Sequence, residues 1–339
     1  MNTPTDAMRV AVLTEPNVIR MEERPVPRPL PDEVLIRVAS VGVCGSDVHY
    51  FREGRIGQFV VEEPLVLGHE ASGRIVAVGS EVDAARVGQR VAIEPQRPCR
   101  TCFQCVAGRY NLCPHMKFFA TPPVDGAFCE YVTIQAPFAH PVADNVSDDA
   151  AALLEPLSVA IWACRKACIA PGARLLVAGA GPIGILITQT ARAFGAAEIV
   201  ITDPVAERRA LAEQAGAIAL DPATGDVSGL GVDAFIDASG AAAAVRGGIA
   251  AVRGAGSVVL VGMGADEIAL PVSTIQNREL NVTGVFRYAN TWPLAAHLAA
   301  TGQIELDAMV TGRFDLSHAA EALGAGAAPG ALKSVVVPS

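Results

Sequence analysis

Four cysteines, Cys99, Cys102, Cys105 and Cys113, fall within fifteen residues in the pattern C-x2-C-x2-C-x7-C. Thiolates at that spacing can close on one tetrahedral ion, and zinc is the metal held in this way. The ferredoxin run also has two C-x2-C steps and a proline after its last cysteine, as Pro114 stands here, so an iron–sulfur cluster is the rival; its last spacing is about three residues, against the seven in this chain. Because all four ligands would be sulfur, no position stays open for a substrate, and such a zinc is structural. A second set of ligating types is Cys44, His69 and Glu70, with Glu155 in Leu154-Glu155-Pro156-Leu157 as a further acid. Fewer than four strong ligands leave room for water or an alcohol. Taken singly, each has an ordinary alternative: a buried thiol, a satisfied histidine, a solvated glutamate, a helix acid. His69 and Glu70 are also neighbours, and neighbours on an extended strand face opposite ways, so joint ligation needs a turn that Gly68 can supply.

A third stretch binds rather than reacts. Leu175 to Ala178 is a continuous apolar run suited to a strand buried on both faces, followed by Gly179-Ala180-Gly181-Pro182-Ile183-Gly184, which is G-x-G-x-x-G. The first glycine permits the tight turn, the second lets backbone approach a pyrophosphate, and the third lets the following helix pack close to the strand. The pattern is helical from Ile185 to Phe194. A second strand, Glu198 to Thr202, then delivers Asp203 nineteen residues after Gly184, where a ribose 2′-hydroxyl needs an acceptor. Strand, glycines, helix, strand and acid in register point to a dinucleotide.

These residues need elements to position them. The 339 residues amount to about two domains, and 51% hydrophobic composition supplies large cores. Residues 8 to 155 read as many short strands with glycine turns, including Val34 to Val43, Arg74 to Val78 and Arg90 to Ile93. Cys44 to Tyr50 and Leu67 to Glu70 then read as loops beside strands. Ser147 to Ala167 reads as a helix bridging the domains, and beyond Asp203 strands alternate with helices as in a doubly wound sheet. Net charge is −9 with scattered charges, which offers no footprint for nucleic acid. No run of about 18 apolar residues free of Gly and Pro appears, so the expectation is a soluble, cytoplasmic protein with no membrane partner. Cys129, Cys164 and Cys168 read as core thiols.

The chain resembles the zinc-dependent medium-chain dehydrogenases, in particular their sorbitol and xylitol dehydrogenase branch. The stretches that carry the likeness are Gly42 to Tyr50, Gly68-His69-Glu70, the four-cysteine lobe, Leu154 to Ala160, Gly179 to Gly184 and Val285 to Trp292. The resemblance implies an α/β fold in which a GroES-like β-barrel catalytic domain, 1–156 with 286–339 and a zinc lobe near 95–115, encloses a Rossmann domain, 157–285. It implies a catalytic zinc on Cys44, His69 and Glu70, with Glu155 as ligand or holding a water, and a structural zinc on Cys99, Cys102, Cys105 and Cys113. The proton would leave through Ser46, or through Glu155 and water; His49, which follows Cys44 and Ser46 closely, is a further candidate relay. Tyr50, Phe118, Glu155, Arg287 and Tyr288 would line the polyol site. The cofactor would meet Gly179, Gly181, Pro182, Ile183, Gly184, Asp203, Arg208, Val261, Gly262, Met263, Val285, Phe286 and Arg287. The activity implied is oxidation of a polyol to a ketose with NAD, two zinc ions per chain, in a homodimer or homotetramer. Two alternatives remain: another zinc dehydrogenase, for a monohydric alcohol or threonine, and a silent NAD-binding protein, which loss of Cys44 or His69 would mark.

Overall fold

The structure, a computed structural model, describes residues 6–328 and 330–338. It divides into two compact units: residues up to Glu155 together with those from Trp292 onward, and Pro156–Thr291. The return to the first unit falls at Trp292 because the segment after Gly284 stays tied to the second: Val285 N–H donates to Leu260 O, and Arg165 Nη1 to Asn290 O at 2.8 Å.

The first unit is built on a seven-stranded sheet. Its order is Ala139–Pro141, Arg90–Ile93, Glu70–Val78, Glu33–Gly42, Lys333–Val337 and Val310–Asp315, with Tyr131–Gln135 also pairing Glu33–Gly42. A smaller sheet of Val18–Pro25, Ala7–Glu15 and Leu65–Val66 shares its core with the larger one, around Val12, Ile36, Ile75, Ile93 and Phe128. Alternation explains the long central strand: Ile36 and Val38 are buried while Arg37 between them is exposed.

The second unit has six strands, all parallel: Ile218–Leu220, Glu198–Thr202, Arg174–Ala178, Val232–Asp237, Val252–Leu260 and Asn281–Gly284. Numbered by sequence within the unit, that order is 3-2-1-4-5-6, the arrangement of a dinucleotide-binding doubly wound sheet. The strand Arg174–Ala178 is central and, apart from Arg174, buried, which is why it reads as an unbroken apolar run.

Three local expectations are corrected. The segment Cys44 to Tyr50 is not a loop: it opens the helix Gly45–Glu53, with Cys44 as the N-cap. Glu70 is the first residue of a strand. The bridge after Ser147 is two helices, Asp148–Ala152 and Leu154–Lys166. A single helix would bury Pro156 in its interior, where the missing N–H leaves the Ala152 carbonyl unpaired and the ring clashes. Breaking at Leu153 puts Pro156 in a first turn, where no N–H is required.

Candidate functional site

The first cluster is assembled by two strand ends and one helix start. Glu33–Gly42 delivers Cys44, and Glu70–Val78 begins at Glu70 directly opposite Gly42. Gly68 takes φ +87°, and a Cβ there would lie 2.6 Å from the Phe128 ring, so only glycine permits the turn that lets His69 and Glu70 face one place. Donor atoms of Cys44, His69 and Glu70 come within 4.8 Å of one another. Glu155, in the first turn of its helix and 5% exposed, stands outside that trio.

Two residues that sequence reasoning passed over hold the trio. Asp47 is fully buried; its Oδ2 accepts from Cys44 N–H at 3.0 Å, its Oδ1 from Gly68 N–H at 2.9 Å, and Oδ1 lies 3.5 Å from His69 Nδ1. A carboxylate behind a ligating histidine fixes the ring and its tautomer. Burial alone would disfavour charge on either partner, yet the mutual attraction, with Cys44 adding to it at His69, wins: the Asp47 carboxyl is lowered and the His69 imidazole raised well above its usual range. The signal for Asp47 was present as an N-cap residue followed by an acid three positions on, the spacing of a capping box.

Lys333 is the other. Its ammonium, on a side chain 4% exposed, donates to Val43 O at 3.0 Å and to Glu70 Oε1. Burial works against its charge, but Glu70 and then Cys44 outweigh it and the pKa is raised, so the lysine stays protonated. Glu70 Oε2 is buried without a hydrogen-bond partner, and a Cβ on Gly42 would lie 2.2 Å from it. A buried, unpaired carboxylate oxygen beside a thiol and an imidazole is a donor set short of a cation. Replacing Lys333 by Met should destabilise metal-free protein by about 3–5 kcal/mol, the usual cost of orphaning a buried charge, and zinc-loaded protein by less because the cation takes over the carboxylate. Urea midpoints of the two forms check this; equal losses with and without zinc would contradict it.

The four-cysteine lobe is closed. Its sulfurs also lie within 4.8 Å of one another, with Cys99 to Cys105 at 4.0 Å, Cys102 to Cys113 at 3.9 Å and Cys99 to Cys113 at 3.6 Å. A tetrahedral zinc with bonds of about 2.3 Å sets its sulfurs roughly 3.8 Å apart. A cluster, whose cysteines sit on separate irons, needs wider spacing. Backbone N–H groups of Thr101 and Cys102 lower the Cys99 thiol to about 5, while desolvation and the neighbouring sulfurs push Cys105 up to about 12. Four thiolates this close require a cation. Of the remaining thiols, Cys129 and Cys164 are buried, but Cys168 is exposed in the turn after Leu154–Lys166 with φ +55°, so it is not core.

In the second unit the glycine turn has the expected shape. Gly179 takes φ +94°, Gly184 approaches so closely that a Cβ would sit 1.8 Å from Gly179 O, and Gly181 faces open space as N-cap of Pro182–Ala193. Asp203, 4% exposed, accepts from Ala180 N–H and Val205 N–H, both at 2.8 Å, and so braces the turn it follows. Arg209 rather than Arg208 is bonded here, donating to Asp203 O at 2.8 Å. Val261 and Gly262 N–H both donate to Asp237 O. Asp237, unremarked in the sequence, also ties down Ser239 and Gly240, and Gly240 packs against Met263 and Gly264. Met263 and Phe286 are about half exposed, Arg287 lies 4.7 Å over the Phe286 ring, and Tyr288 is fully buried. In the first unit Tyr50 and Phe118 are buried, Phe118 tilted against the His69 ring at 5.5 Å, while His49 is exposed 3.6 Å from Glu53. Among the described residues no helix is long and apolar enough to cross a membrane.

Two family profiles match the chain: "Alcohol dehydrogenase GroES-like domain" over residues 30–144 and "Zinc-binding dehydrogenase" over 182–301. The chain belongs to the zinc-dependent medium-chain dehydrogenases and is an oxidoreductase. It is 45% identical over 322 residues to the sorbitol dehydrogenase of Macaca fascicularis, covering 92% of this chain and 90% of that one. Among solved structures it is similar to a chain assigned as a zinc-binding dehydrogenase in Sinorhizobium meliloti 1021, bound to NADP (TM-score 0.91, 32% identity, covering 98% of this chain and 100% of that one). It is also similar to an alcohol dehydrogenase from E. coli CFT073 in complex with NADH (TM-score 0.92, 28% identity, 98% and 100%).

Proposed function

We propose that the protein oxidises a secondary alcohol of a sorbitol- or xylitol-like polyol to the ketose, passing hydride to NAD, with one zinc at Cys44, His69 and Glu70 and a second in the cysteine lobe. The observation that carries the reading is the buried trio of thiol, imidazole and unpaired carboxylate oxygen in a chain 45% identical to a sorbitol dehydrogenase. Zinc, when bound, supplies Lewis-acid polarisation of the substrate oxygen. The protein does the rest. Asp47 fixes the His69 ring and Lys333 fixes Glu70. The hydroxyl proton would leave by one of two routes, relayed through Ser46 or taken by Glu155 through a water, and exposed His49 is a candidate for handing it on to solvent. The Gly179–Gly184 turn and the N-terminus of Pro182–Ala193 hold the pyrophosphate, and Asp203 accepts from the ribose. NADH appearance at about 340 nm across a polyol panel, with and without chelator, tests the whole reading; no polyol-dependent signal with zinc-loaded protein refutes it.

NAD is the expected cofactor because a 2′-phosphate would meet the Asp203 carboxylate, and like charges repel. The fold alone does not decide this, since relatives bind either form. Asp203→Asn keeps one acceptor for the turn but removes the charge. It should cut the NAD over NADP preference in kcat/KM by about tenfold, roughly 1.4 kcal/mol. A wild-type protein that uses NADP as well as NAD would contradict the assignment.

A further inference from the structure

The outer face of the seven-stranded sheet carries a row of arginines that neither the metal site nor the dinucleotide site uses. In the strand register Arg37 lies directly opposite Arg74, and Arg74 directly opposite Arg90. Directly opposed residues share a face, and this is the solvent face: Arg37 and Arg74 are exposed while Ile36, Val38, Ile75 and Val91 point into the core. Like charges opposed across antiparallel strands destabilise a sheet, and here the arrangement occurs twice in succession.

Internal compensation is partial. Arg90 is occupied internally, paired with Asp148 at 2.8 Å and donating to the carbonyls of Val146, Ala143 and Asp144, and Arg313 from Val310–Asp315 is paired with Asp149 at 2.6 Å. Among the described residues Arg74 donates only to the carbonyl of Gly88. The Arg37 guanidinium has no hydrogen bond or ion pair with any described residue. Four guanidinium groups therefore face two carboxylates, in a chain whose net charge is −9. The row also borders a real concavity, about 440 Å³, lined by Arg37, Arg74, Arg90, Arg313 and Asp148. That volume lies in the range of small-ligand sites, about 300–1,000 Å³.

We propose that this concavity binds a small anion carrying two or more linked phosphoryl groups. Guanidinium forks match phosphoryl oxygens in pairs, and adjacent strands about 4.8 Å apart place the Arg37 and Arg90 backbones roughly 10 Å from each other. A single phosphate reaches one of the open side chains, Arg37 or Arg74; a linked di- or triphosphate spans both and extends toward the Arg90–Asp148 pair. Bound anion would relieve the opposed charges, so binding should also stabilise the fold. The site is independent of the dehydrogenase reading.

The test is calorimetric titration of zinc-loaded protein, with NAD saturating so that the glycine turn is filled. Tripolyphosphate, pyrophosphate, orthophosphate, ATP and citrate are compared at one ionic strength, in wild type and in Arg37→Ser/Arg74→Ser. Zinc stripping by polyphosphate would be common to both proteins, so the difference between them is the readout. Tripolyphosphate is expected to bind wild type with Kd of about 10 μM, the double variant at least about tenfold more weakly, and orthophosphate least of the phosphates. ATP equal to tripolyphosphate would mean that the phosphates alone are recognised; ATP tighter would mean that a nucleotide is the ligand, and both support the site. The anion-free double variant should unfold at the same temperature as wild type or higher, because a repulsion has been removed. Equal tripolyphosphate affinity in the two proteins, citrate binding as tightly as tripolyphosphate, or an anion-free variant clearly less stable than wild type would each overturn the proposal.

Discussion

Chelation is expected to abolish turnover while leaving the fold in place, because the two metal sites differ in closure. In the lobe, four sulfurs all within 4.8 Å of one another, three of the pairs at 3.6–4.0 Å, would enclose an ion on all sides. The Cys44 site offers three donors, one of them tethered to Lys333, and an ion there keeps a coordination position through which a chelator can enter. Purified protein should hold about two zinc ions per chain, lose the first with all activity, and lose the second only together with structure. Cys44→Ala should give about one zinc per chain and a kcat lowered by ~10³-fold or more, with near-native circular dichroism. Cys105→Ala should instead lower the unfolding temperature, since the remaining thiolates lose the cation that offsets their crowding. Iron in place of zinc, or full activity after chelation, would contradict the assignment.

What could be read from the chain alone was what sits close together in sequence. The glycine turn, its strand and Asp203 lie within thirty residues, and the lobe cysteines within fifteen, so spacing carried both. The break at Leu153 was equally local, written in Pro156, but an apolar periodicity running from Ser147 to Ala167 hides it. Asp47 was passed over because its neighbours suggested a loop, whereas the Asp at the third helical position already marked a helix start with Cys44 at its cap. Lys333 had no such signal. It meets Val43 across 290 residues and Glu70 across 263, through strand pairing that brings Val336 beside Val41. A lone lysine in an apolar strand reports that something must neutralise it, not what. The arginine row is invisible for the same reason: Arg37, Arg74 and Arg90 become neighbours only once the register is known.

Five- and six-carbon polyols are expected to exceed ethanol or propanol in kcat/KM by up to ~10⁴-fold, since a site built to hydrogen-bond hydroxyls leaves its polar groups unpaired when a substrate lacks them. The cost is largest where those groups are desolvated. Tyr50 at 3% exposure and Glu155 at 5% meet that condition in the first unit. Arg287 is the critical residue in the second, because two roles compete for it. Its backbone is left-handed, φ +55°, and its guanidinium lies 4.7 Å over the half-exposed Phe286 ring. The ligand it contacts is a polyol hydroxyl on one reading and the cofactor on the other. Arg287→Ala separates them: an increase in KM of about tenfold or more for polyol, with KM for NAD nearly unchanged, assigns it to substrate. An increase confined to NAD assigns it to the cofactor. If ethanol matches the best polyol in wild-type kcat/KM, the desolvated hydroxyl acceptors have no substrate to serve and the protein is a general alcohol dehydrogenase.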